Sequence, residues 1–105
     1  MTEGRAQAVS RFGTALRAVY GARLERAVLF GSRACGEARD DSDYDVAVFL
    51  RGLDDRWPEM DRLADMATEV LHDGGPVIHA MAFPAGGYRE RTPLMHEIRG
   101  DGIDL

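Results

Sequence analysis

Residues Gly31 to Phe49 read GSRACGEARDDSDYDVAVF, and two features of that stretch could do chemistry together. The first is Gly31-Ser32, directly after the apolar run ending in Phe30. Gly31 lets a ligand come close to the backbone. Ser32 offers a hydroxyl and, with the amides after it, the start of a helical turn that suits a phosphate. Arg33 adds a fixed positive charge. The second feature is Asp43-Tyr44-Asp45 at the head of another apolar run. Strand residues two apart point the same way, so these two carboxylates lie side by side. Like charges that close raise each other's pKa unless a cation lies between them. A hard divalent cation, Mg²⁺ for preference, removes the repulsion and takes oxygen ligands. Taken alone, Asp40, Asp41, Asp43 and Asp45 read equally well as turn and cap residues. Set after Gly31-Ser32, they form the second half of a nucleoside-triphosphate site, in which metal and phosphates are bound together.

Both features need rigid elements behind them. Residues 3–20 read as a helix, with Val9, Phe12, Leu16 and Tyr20 at three- and four-residue spacing and Gly21 as its stop. Residues 25–30 read as a short buried strand ending at Gly31, and residues 32–38 as a turn or two of helix capped by Ser32. Residues 43–50 are a strand with Val46, Val48 and Leu50 on one face and Asp43, Asp45, Ala47 and Phe49 on the other. A second long helix spans 55–72, with Pro58 in its first turn and a stripe of Trp57, Met60, Leu63, Ala64, Ala67, Val70 and Leu71. Residues 76–83 are a third strand, and a short helix runs from Thr92 or Pro93 to Arg99. This order predicts a small α/β sandwich with a mixed sheet and helices packed against it.

Composition narrows the function classes. The chain has 105 residues, within the size of one domain, so residues 1–105 are read as a single unit. Its formal net charge of −5 argues against a general nucleic-acid-binding or acidic-membrane surface. No apolar run is long enough for a transmembrane helix, and the N-terminal residues lack the apolar stretch of a signal peptide. The one cysteine, Cys35, excludes an intrachain disulfide and a cysteine-cluster metal site, and fits a reducing cytoplasm. At the start of a short helix Cys35 reads as a small apolar filler or as a reactive thiol.

Gly31-Ser32 followed after ten residues by Asp43-Tyr44-Asp45 resembles the Gly-Ser and Asp-x-Asp signature of the DNA polymerase beta-like nucleotidyltransferases. The fuller run, with Arg33, Ala34, Gly36 and Ser42, is similar to the minimal nucleotidyltransferases of bacteria and archaea. The likeness extends over the leading helix, the strand before Gly31, the helix after the Asp-x-Asp strand and the closing segment from Leu94 to Leu105. It implies a polymerase-beta-like fold and transfer of a nucleotidyl group from a nucleoside triphosphate to a hydroxyl, with two metal ions on three acids. Minimal members are commonly antitoxins paired with a HEPN-domain toxin, and some silence that partner by adding AMP to a tyrosine. Carried over, Gly31, Ser32 and Arg33 would hold the triphosphate of ATP, and Asp43 and Asp45 would bind Mg²⁺ or Mn²⁺.

The sequence departs from that pattern at the third acid. The family places it on the strand beside the Asp-x-Asp strand, on the same face; here that strand is VIHAMAF, and His79 is its one polar side chain. Imidazole suits Zn²⁺ or Mn²⁺ better than Mg²⁺, and neutral histidine can accept a proton. A half-buried strand histidine with a backbone partner is the other reading. Two functions therefore stand side by side. One is metal-dependent transfer of AMP from ATP to a hydroxyl of a partner HEPN toxin. The other is an antitoxin with a weak or inactive site that neutralises its partner by binding. A homo-oligomer is the alternative to that partner, since Trp57 and five methionines suggest apolar surface to cover.

Overall fold

The computed structural model describes residues 3–30 and 44–105. The expected short helix over 32–38, together with Gly31, Ser32, Arg33, Cys35 and Asp43, lies outside the described residues. The elements are α1 (Glu3–Tyr20), β1 (Leu24–Phe30), β2 (Tyr44–Leu50), α2 (Arg56–His72), β3 (Ile78–Pro84), α3 (Pro93–Asp101) and β4 (Ile103–Asp104). The expected helices and strands fall within two residues of these bounds; β4 is an addition to them.

The described strands pair in the order β3-β2-β1-β4. β1 and β2 are antiparallel, β2 and β3 parallel, and β4 runs antiparallel to β1, so the sheet is mixed. Alternation along β2 divides the core as the sequence predicts. Val46, Val48 and Leu50 join Phe12, Leu16 and Leu63 on the face covered by α1 and α2. Ala47 and Phe49 join Val28, Phe30, Met95 and Ile98 on the face covered by α3. All six residues of β2 other than Asp45 are buried. A strand covered on both faces must be apolar on both, which is why it reads as a near-continuous run.

Local signals set the helix ends. Asp55 accepts a hydrogen bond from the Trp57 amide at the start of α2, and Thr92 accepts one from the Met95 amide at the start of α3, where Pro93 fits the first turn. Gly74, at φ 85°, follows the end of α2 in a conformation that side chains disfavour.

The expected stripe of α2 needs correction at three positions. Trp57 is 71% exposed, and Ala64 and Leu71 are exposed as well. Leu63 and Ala67 are buried as expected, and Glu59 joins them one turn earlier. β3 is an outer strand of the described sheet, so the side of α2 bearing Trp57 and Leu71 overhangs its edge.

Among the described residues Glu59 is the buried charged side chain. Arg23 reaches one of its carboxylate oxygens at 2.9 Å, Arg62 the other at 3.7 Å, and the Tyr20 hydroxyl donates to it at 3.5 Å. A charge taken out of water needs such partners. The cluster ties the end of α1 to the start of α2. Burial, and next the negative charge of Glu59, push the Tyr20 pKa above its ordinary value.

Candidate active site

β1 runs into residue 31 and β2 begins after residue 43, and the two strands are antiparallel neighbours, so the connecting segment leaves and re-enters at one end of the sheet. At that end Phe30 pairs with Asp45 on one side and Asp45 pairs with His79 on the other. Register partners in a sheet share a face, and Phe30 packs on the α3 side. The row Phe30–Asp45–His79 therefore presents a carboxylate beside an imidazole on one face, at the rim next to residues 31 and 43. Asp45 is half-buried, and His79 is exposed rather than half-buried.

A cleft opens here around the outer strand. Asp45, His79 and Met81 line it on the α3 side, and Met60 and Ala64 of α2 line it beyond the strand edge. Met60 also blunts that edge, since its Sδ accepts the outward amide of Ala82 at 3.2 Å. Met60 and Met81 pack against the two core clusters, as apolar residues are expected to, and also wall the cleft. The two-residue period of β3 carries the signal for Met81, which lies two positions after His79. Nothing in the sequence carries it for Met60, because its place depends on how α2 lies against β3.

The described donors at this place are a carboxylate and an imidazole. The oxygen suits Mg²⁺, and the mixed pair suits Mn²⁺ better. Among the described residues no three His, Cys, Asp or Glu side chains come together to hold a metal ion.

Residues 20–81 match the family model described as polymerase beta, nucleotidyltransferase. The chain belongs to this nucleotidyltransferase family. The match runs from the end of α1 to the middle of β3 and takes in every residue discussed above as a candidate, Gly31, Ser32, Arg33, Asp43, Asp45 and His79. A relative in Methanocaldococcus jannaschii, provisionally named a protein adenylyltransferase, is 32% identical over 75 residues, which are 71% of this chain and 69% of that one. Two solved structures share the nucleotidyltransferase fold. One, described as a toxin-antitoxin with AMP-PNP, has a TM-score of 0.53 at 20% identity, covering 90% of this chain and 69% of its own. The other, a provisionally assigned nucleotidyltransferase from Sulfolobus solfataricus, has a TM-score of 0.52 at 17% identity, covering 99% and 87%. The family's mixed sheet with helices on both faces is the fold expected from the sequence.

Among the described residues no helix is long and apolar enough to cross a membrane.

Proposed function

We propose that this chain transfers AMP from ATP to a hydroxyl of a partner toxin of the HEPN type, with Mg²⁺ or Mn²⁺ held at the rim of the sheet. The observation that carries the reading is the row Asp45–His79 at the end where β1 hands over to Gly31-Ser32 and β2 starts behind Asp43. The relative named as a protein adenylyltransferase and the likeness to a toxin-antitoxin structure with AMP-PNP support it.

In this reading Gly31 and Ser32 receive the triphosphate on backbone amides and a hydroxyl, and Arg33 balances its charge. Asp43 and Asp45 hold the metal through oxygen. The hydroxyl oxygen bonds to the α-phosphorus as the α–β phosphoanhydride bond breaks and pyrophosphate leaves; the ion, when bound, would offset the negative charge on the transferred phosphoryl group and on that leaving group. His79, beside Asp45, accepts the proton of the attacking hydroxyl at an imidazole nitrogen. The apolar wall of Met81 and Met60 keeps one side of the cleft dry, which strengthens each charge interaction in it. The acceptor hydroxyl must come to the exposed side, where His79 lies.

Calorimetry with ATP and metal tests the assignment. Wild type is expected to bind, and Asp43→Asn with Asp45→Asn to lose binding. Equal binding by the double variant removes the site from these residues.

A second reading has one observation in its favour. The position on β3 in register with Asp45 is a histidine rather than an acid. On that account the chain neutralises its partner by binding alone. Label transfer from ATP to the partner separates the two: neutralisation with no transfer in either metal selects binding.

A further inference from the structure

On the face of the molecule away from Asp45, α1 and α2 leave an apolar groove of about 270 Å³ between them. Phe12, Ala15 and Val19 line one side along α1, and Met66 and Val70 line the other along α2. Phe12 is buried and closes the floor, while Val19 is 47% exposed at the lip. Ala15 and Val19 continue the line of Phe12 at helical spacing toward the surface, where no described element covers Val19. The rim is charged with opposite signs on opposite sides. Arg11 stands on the α1 bank, and Glu69 and Asp73 stand on the α2 bank. The ion pairs among the described residues involve none of these three side chains.

We propose that this groove is the interface of a symmetric dimer, and that its occupant is the same groove of a second copy. The argument is charge complementarity. Tyr20, at the end of α1, meets Glu59, at the start of α2, while Ala8 and Arg11 share the groove with Glu69 and Asp73 near the opposite ends. The two helices are therefore antiparallel. A two-fold axis along the groove lays α1 of each copy over α2 of the other. It sets each Arg11 at the height of the other copy's Glu69 and Asp73, and each Val19 near the other copy's apolar bank. The patch is thus its own complement, as a two-fold contact requires. An acidic or a basic partner would match one bank and be repelled by the other.

Sedimentation velocity on the full chain across the micromolar range tests this. Wild type is expected to dimerise. Arg11→Glu alone, and Glu69→Arg with Asp73→Arg, are each expected to weaken self-association by about tenfold or more. Mixing those two variant chains should restore the dimer, because each then offers the sign that the other lacks. Val19→Glu should weaken it as well, with circular dichroism unchanged because Val19 is not a core residue. A wild type that remains monomeric overturns the proposal. So does a dimer indifferent to these changes, or a loss that mixing does not repair.

Discussion

At the scale of single residues, the proposed transfer hangs on Asp45 and on what stands beside it. A carboxylate at the head of a buried strand is costly to bury without a partner, and the strand places it at a rim, next to His79. If His79 takes the place that the family gives to an acid, wild type should transfer AMP slowly and prefer Mn²⁺ to Mg²⁺, because imidazole competes better for the softer ion. His79→Asp should then raise the rate with Mg²⁺. Label transfer by both proteins in each metal measures this. Fast transfer by wild type in Mg²⁺ that survives His79→Ala would show that His79 has no part in the reaction. Asp45→Asn should cost about a hundredfold or more in transfer, as removal of a charge-stabilising group typically does.

At the scale of elements, the contact between α1 and α2 rests on Glu59 as much as on apolar packing. Removing the carboxylate by Glu59→Ala leaves Arg23, Arg62 and the Tyr20 hydroxyl without their acceptor, and stability should fall by about 1–3 kcal/mol in urea titrations. The same cluster predicts an alkaline limit. Folded Tyr20 keeps its proton above the pH of about 10 at which an unfolded tyrosine loses it. The folded state binds the proton more tightly, so this contribution is complete below about pH 10 and is lost as the pH rises through the folded value. Tyr20→Phe should flatten the decline of stability in that range. An unchanged slope between wild type and Tyr20→Phe would assign the alkaline limit to another group.

At the scale of the whole molecule, closure of the sheet depends on one close approach. Gly102 ends α3 so tightly that a Cβ there would collide with the Ile98 carbonyl and a Val28 methyl. That turn swings β4 onto β1, where Asp104 pairs with Val28 and the Leu105 amide donates to the Ala27 carbonyl at 2.9 Å. Gly102→Ala should therefore lower stability by about 1–3 kcal/mol, seen as a lower thermal midpoint. An unchanged midpoint would mean that α3 and β4 shift at no cost. The two proposed surfaces follow from the same layering, the cleft around the β3 edge and the groove between α1 and α2.

Periodicity and punctuation in the sequence determined most of the elements. Val9, Phe12, Leu16 and Tyr20 repeat at helical spacing, and Val46, Val48 and Leu50 alternate with Asp45, Ala47 and Phe49, because each pattern reflects a face that must leave water. The same alternation put Asp45 on its face before any neighbour was known, and the Gly-Ser to Asp-x-Asp spacing named the family. The rest depends on contacts between segments distant in sequence. β4 is two residues long, too short to carry a period, and exists because α3 delivers it to β1. Trp57 belongs to a stripe that local spacing marks as apolar, but the described sheet below α2 ends at β3, so no described element covers that side. Glu59 reads as a surface residue of a first turn and is buried because Tyr20 arrives from the end of α1 and Arg23 from the turn that follows it. His79 and Asp45 are 34 positions apart, and only the parallel register of β2 with β3 makes them neighbours.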